Sequence, residues 1–273
     1  MNRQEVFVHG HRGYRGAYPE NSYESFFHAM KLGVDAIELD IVISKDEKVI
    51  ISHEPYMCNE LCLKPNGDSI SKEESTQLNL FKMTAQNITE YSFGTLEYSK
   101  FPNQKKVKSH KLELKKMTQL LEAKFPEDFS FPQITVEVKS HPNTDGVFHP
   151  EPKEYAKILL KELQLIDERW PMAIQSFDLR VLLELDKQGC ELPLIALSES
   201  KEVDIDYVCE KLEFIPDGFS PYYELINEDV VEDCQSLGVE LSAWTVNDRA
   251  EMERLFQLGV RSFITDFPDL IIR

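Results

Sequence analysis

Short apolar runs alternate with amphipathic stretches along most of the chain, and the two have different periods. Runs patterned at every second residue predict strands over 6–9, 36–43, 134–139, 173–177, 193–197, 217–220, 240–246 and 262–265. Stretches patterned at every third or fourth residue predict helices over 22–32, 112–124, 152–163, 179–188, 203–211, 227–237 and 249–258. Asn21 and Ser22 stand before the first helix, with Glu24 and Ser25 just inside it, as an N-cap requires. Gly33, Gly189, Gly238 and Gly259 each follow a predicted helix, where a left-handed C-cap residue is wanted. A repeated strand–helix–Gly–strand unit implies an α/β architecture with a parallel sheet.

Two places break the rhythm. Residues 44–48 form a polar turn, and the strand-like run 49–53 that follows is expected to fold back beside the second strand as a hairpin, not to add a ninth barrel strand. From residue 54 to about 110 there is no clean strand–helix pattern, and Asn, Ser, Lys and Pro are frequent. Such an insertion after a strand is expected to lie over the active-site face as a lid or specificity element. The remainder suits a lean (β/α)₈ TIM barrel, for which about 200 to 250 residues suffice. The expected organisation is therefore one barrel domain over residues 1–273, with the insertion after its second strand. A doubly wound open sheet is disfavoured, because no Gly-x-Gly-x-x-Gly occurs.

Composition narrows the partners. The formal net charge is −18, from 30 basic and 48 acidic residues, so the long-range field opposes nucleic acid and anionic membranes. A small anionic substrate is still compatible, since a local cation overrides the global field at close range. No apolar run reaches the ~20 residues of a membrane-spanning helix, so no integral membrane association is expected. Five scattered cysteines read as reduced thiols and favour a cytoplasmic setting, unless a leader peptide had been removed. Cys58 and Cys62 lack a second Cys/His pair and are not read as a zinc site.

Strand alternation locates the chemistry. In the second strand Ile37, Leu39 and Ile41 share one face, and Glu38 and Asp40 share the other. In 134–139, Ile134, Val136 and Val138 point one way, and Thr135, Glu137 and Lys139 the other. With the apolar faces packed outward on helices, three carboxylates and one lysine aim at one cavity. An ion pair accounts for a single Glu-x-Lys. The two strands together favour a hard divalent cation, because buried unpaired carboxylates are costly. His9, His11 and His53 lie at or beyond the ends of these strands, with the hairpin returning residue 53 beside residue 40. Two histidines across such a cavity suit general acid–base phosphoryl transfer, and Arg12 could clamp a phosphate. His28, His110, His141 and His149 read as structural, and Phe26, Phe27, Leu255 and Phe256 as core.

Gly10-His11-Arg12-Gly13, Pro19-Glu20-Asn21-Ser22, Glu38-Leu39-Asp40, Ser52-His53-Glu54, Glu137-Val138-Lys139, Gln175-Ser176-Phe177, Trp244-Thr245-Val246-Asn247 and Thr265-Asp266 occur in that order. The ordered set resembles the glycerophosphodiester phosphodiesterase family, within the phosphatidylinositol-phosphodiesterase-like barrel superfamily. The resemblance implies that His11 and His53 are the catalytic acid/base pair, and that Glu38, Asp40 and Glu137 hold one Mg²⁺ or Ca²⁺. It also implies that Arg12 and Lys139 contact phosphate oxygens, that Trp244 packs near the glycerol, and that the products are sn-glycerol 3-phosphate and an alcohol. It selects His11 over His9, which falls where the family usually has an apolar strand residue. Three departures stand out: Glu54 where the family usually has Asp, Ser22 for Thr, and Ser44-Lys45-Asp46-Glu47 for a Thr-x-Asp-Gly turn. Two alternative readings are a phospholipase D-like enzyme of the same superfamily acting on lipid phosphodiesters, and a non-catalytic barrel that binds phosphorylated polyols. The second would need Arg12 and Lys139 without both histidines and all three carboxylates.

Overall fold

A computed structural model describes residues 2–272. Eight parallel strands close into a barrel: β1 (Phe7–Gly10), β2 (Ala36–Ile43), β6 (Gln133–Val138), β7 (Met172–Ser176), β8 (Leu194–Ser198), β9 (Gly218–Pro221), β10 (Glu240–Ala243) and β11 (Ser262–Thr265). Closure comes from β1, which pairs with β11 on one side and β2 on the other. The predicted strands match these within one residue at nearly every end. The exception is β10, which stops at Ala243, three residues short of the predicted end. Beyond it the chain leaves the ladder, and Tyr222 and Trp244 meet in an isolated bridge.

The helices that return the chain are α1 (Tyr23–Leu32), α4 (Leu114–Glu122), α5 (Pro152–Leu163), α6 (Leu179–Lys187), α7 (Ile205–Leu212), α8 (Glu228–Leu237) and α9 (Arg249–Leu258), and α10 (Asp269–Ile272) ends the described chain. Helix α1 begins at a reciprocal cap, Ser22 accepting from Ser25 N–H while Ser25 Oγ accepts from Ser22 N–H. It ends at Gly33, and α8 and α9 end likewise at Gly238 and Gly259. All three have left-handed dihedrals that a side chain disfavours. Among the described residues, no helix is long and apolar enough to cross a membrane.

Alternation sorts the strand residues as expected. Ile37, Leu39, Ile41, Ile134, Val136 and Val138 pack with Phe26, Ala29 and Met30 of α1 and Leu114, Met117 and Leu121 of α4 in one apolar cluster. Burial of each such side chain stabilises by about 1.5–3 kcal/mol, which explains why these strands hold their register. The other face of β2 and β6 therefore has to point into the barrel. Their register sets Glu38 opposite Thr135 and Asp40 opposite Glu137.

β3 (Val49–Ile51) runs antiparallel to β2, with Ile41 opposite Ile51 and Ile43 opposite Val49. Ser52 N–H donates to the Asp40 carbonyl at 2.9 Å, so Ser52 faces Asp40 and His53 lies one step beyond. The insertion that follows is not featureless. It contains β4 (Cys62–Leu63), α2 (Lys72–Ser75), α3 (Ala85–Thr89) and β5 (Ser92–Phe93). Met57, Cys62, Ile70, Leu80, Ala85, Ile88 and Phe93 form a separate apolar cluster on Val42 and Ile50 of the hairpin.

Candidate active site

A cavity of about 350 Å³ opens at the C-terminal ends of the barrel strands. His11, Arg12, Glu38, His53, Glu137, Lys139 and Trp244 all line it, and Asp40 lies fully buried beside them. The loop after β1 supplies the first two. Arg12 and Gly13 both have positive φ, and a Cβ on Gly13 would lie 2.5 Å from Ser25 Oγ, so only glycine lets this loop press onto α1. Ser25 Oγ donates to the Arg12 carbonyl at 2.9 Å, and Arg12 N–H donates to Glu38 Oε2 at 2.9 Å. The HRG segment is thereby tied to the strand that carries the carboxylates.

Glu38, Asp40 and Glu137 bring one carboxylate oxygen each within 4.8 Å of the others. Burial pushes the Glu38 carboxyl well above the usual range, and Asp40 and Glu137 push it further. Asp40 goes the other way: against the cost of burial, Arg12 and Lys139 hold it well below the usual range. Arg12 Nε is ion-paired with Asp40 Oδ2 at 3.1 Å and Nη1 donates to Glu20 Oε1 at 2.8 Å. Lys139 Nζ lies 2.8 Å from Asp40 Oδ1 and also contacts Glu137. Gln175 Nε2 donates to Glu38 Oε1 at 3.2 Å, and Asn21 Nδ2 to Asp40 Oδ2 at 2.8 Å. An all-oxygen set of three clustered carboxylates suits a hard divalent cation, which would reverse the upward push on Glu38.

Each cavity histidine is held through Nδ1 by a carboxylate. His11 Nδ1 lies 2.7 Å from Asp266 Oδ1, and His53 Nδ1 lies 2.5 Å from Glu54 Oε2. In both, Nε2 is the ring nitrogen that the carboxylate leaves over, and on His11 it lies 3.9 Å from Glu38 Oε2. His11 is 9% exposed, and its burial lowers its pKa while Asp266 opposes that shift. Asp266, in spite of its own burial, is held at about 2 by His11 and Arg15. Its Oδ2 accepts from Asn247 Nδ2 at 2.7 Å. Trp244 is fixed by donation from Nε1 to the Ser220 carbonyl at 2.8 Å and by edge contacts with Phe177 and Tyr222. With Leu197 and Ile264, Phe177 and Trp244 give the cavity its apolar wall.

His9 sits deeper in the barrel, off the cavity, with Nε2 3.0 Å from Ser262 Oγ and burial lowering its pKa to about 4. His28 stacks on Tyr18, His110 contacts the Thr89 and Tyr91 carbonyls, and His149 Nε2 accepts from His141 N–H. Sequence assigns no role to several cavity residues, Arg15, Glu20, and Cys58, Glu60, Leu61, Tyr98 and Lys100 of the insertion, nor to Asp266, which holds His11 from behind. Asp266 had a usable signal, an acid at the C-terminal end of the last barrel strand. The insertion residues had none, because no periodicity aims them.

The sequence matches the glycerophosphoryl diester phosphodiesterase family over residues 11–270. The chain belongs to that family. A glycerophosphodiester phosphodiesterase of Caldanaerobacter subterraneus subsp. tengcongensis is 27% identical over 268 residues, covering 98% of this chain and 97% of its own. One from Bacillus subtilis is 26% identical over 275 residues, covering 99% and 86%. An Oleispira antarctica phosphodiesterase solved in complex with the product sn-glycerol-3-phosphate superposes with a TM-score of 0.76. It is 18% identical, covering 99% of this chain and 98% of that one, and shows the shared fold.

Proposed function

We propose that this protein hydrolyses small glycerophosphodiesters to sn-glycerol 3-phosphate and an alcohol, with His11 and His53 as the acid/base pair. The observation that carries the reading is the pairing of two carboxylate-held histidines with three clustered carboxylates in one cavity. Family membership supplies the reaction class. Glu38, Asp40 and Glu137 would hold one Mg²⁺ or Ca²⁺. When bound, such a cation polarises a phosphate oxygen and offsets charge developing on it.

The protein's own groups do the rest. Arg12 has two of its three nitrogens committed to Glu20 and Asp40, which leaves Nη2 for a phosphate oxygen, and Lys139 stands beside it. The Phe177–Trp244 wall takes the carbon face of the glycerol. One histidine accepts through Nε2 the proton of the nucleophile, either water or the glycerol 2-hydroxyl whose cyclic phosphate a water then opens, and the other delivers a proton to the departing alkoxide. Asp266 and Glu54 keep each ring oriented and stabilise the imidazolium that forms.

The test uses glycerophosphocholine, glycerophosphoethanolamine and a lysolipid, each with chelator, Mg²⁺ or Ca²⁺, with release of glycerol 3-phosphate as readout. Turnover of the small diesters that disappears on chelation, returns with cation and is lost in His11→Ala is expected. Full activity of the chelated protein or of His11→Ala overturns the mechanism.

A further inference from the structure

Arg15 lines the cavity and is 8% exposed, yet the acid/base scheme gives it no task. Its guanidinium is the meeting point of three segments. Nε is ion-paired with Glu20 Oε2 at 2.7 Å, and Nη1 lies 3.6 Å from Asp266 Oδ1, the oxygen that holds His11. Nη2 donates to Tyr98 Oη at 3.3 Å, and the guanidinium carbon stands 4.9 Å above the Phe101 ring. Tyr98 and Phe101 both belong to the insertion. A planar guanidinium suits such a joint, because its edge donates hydrogen bonds while its face stacks on an aromatic ring.

Further contacts reinforce the same joint. Gln104 Nε2 donates to the Arg15 carbonyl at 2.7 Å, and Lys105 N–H to the Ala17 carbonyl at 2.9 Å. Phe101 packs 6.0 Å from Phe267, the residue after Asp266. Gly16 N–H donates to the Asp266 carbonyl at 2.8 Å, and a Cβ on Gly16 would lie 2.3 Å from the Phe267 ring. The insertion is thus fastened to the two loops that carry His11 and its carboxylate, and Arg15 is the side chain that touches all three.

We propose that Arg15 is a positioning residue that latches the 98–105 segment of the insertion onto the Asp266–His11 pair, so that docking of the insertion sets the orientation of His11. The proposal rests on His11 being catalytic, as argued above. Asp266 is gripped at Oδ2 by Asn247 and at Oδ1 by His11 and Arg15. Without Arg15 that carboxylate keeps Asn247 at Oδ2 and His11 at Oδ1, but it loses the cation that stands 3.6 Å from Oδ1 and ties it to the insertion. Phe101 does not line the cavity, so it reaches His11 through this joint, by way of Arg15 and of Phe267 beside Asp266.

The experiment compares Arg15→Ala, Arg15→Lys, Phe101→Ala and the Arg15→Ala/Phe101→Ala double variant with the wild-type enzyme on glycerophosphocholine plus Mg²⁺. Melting temperature and hydrogen exchange over 96–106 are measured alongside. Arg15→Ala is expected to lower kcat roughly 10- to 100-fold with KM changed less than about threefold, as for other loss of an orienting partner. Phe101→Ala is expected to lower kcat several-fold and to raise exchange over 96–106. The double variant should be no slower than Arg15→Ala, because coupled residues do not add. Arg15→Lys, which keeps the charge and loses the fork, should recover part of kcat. Wild-type kcat in Phe101→Ala, additive losses in the double variant, or a change confined to KM overturns the proposal. Should Arg15→Ala fail to fold, Phe101→Ala and Arg15→Lys decide it. Inactivity of the wild-type protein on every diester instead counts against the proposed function.

Discussion

Individual side chains in the cavity are defined by what neutralises them. Asp40 and Glu38 sit two residues apart on one strand, yet cations hold one far below the usual range and burial with neighbouring carboxylates drives the other far above it. Asp266 is the most easily tested of these groups. Its carboxyl is held at about 2, from an ordinary 3.8, so its contribution to stability is full above about pH 4 and is lost as pH falls toward 2. The difference in unfolding free energy between wild type and Asp266→Asn is therefore expected to be about 2 kcal/mol larger at pH 5 than at pH 2. Urea titrations at a series of pH values measure this, and a pH-independent difference would contradict the assignment. Glu54, the departure from the usual Asp, still reaches His53 Nδ1, so the longer side chain preserves the contact.

At the scale of elements, the β2–β3 hairpin and the loop after β1 do most of the positioning. Their apolar residues face helices or the insertion, and that orientation leaves the polar residues nowhere to point except the cavity. The insertion has its own apolar cluster around Ile88 and Leu80, both fully buried. Ile88→Ala is expected to cost about 2–5 kcal/mol, concentrated in that cluster. Native-state hydrogen exchange should show residues 56–93 losing protection while β6 and β7 amides keep theirs. Equal loss in both regions would mean that insertion and barrel open as one unit.

For the whole molecule, the net charge of −18 and the buried carboxylate cluster both favour cation uptake. A ligand that binds only the folded state stabilises it by about 2.7 kcal/mol at a hundred times its Kd. At roughly 2–4 °C per kcal/mol for a chain approaching this size, Mg²⁺ or Ca²⁺ should raise the melting temperature by about 5–10 °C. Glu38→Gln should abolish that rise, and calorimetry with and without chelator reads it independently of turnover. A melting temperature indifferent to both cations would remove the case for a bound metal.

The sequence by itself determined the barrel and the carboxylate face, because both follow from local periodicity. A strand with Ile37, Leu39 and Ile41 on one side can bury them only by turning Glu38 and Asp40 inward. The ordered motifs likewise singled out His11 and His53 from seven histidines. Other features depend on residues far apart in the chain. Asp266 meets His11 across 255 positions, through closure of the barrel by β1 and β11. Arg15 meets Tyr98 across 83 positions, in a segment with no repeating pattern to aim it. Periodicity predicts which way a side chain points from its own element. Which distant group stands opposite is decided only when the sheet closes and the insertion docks.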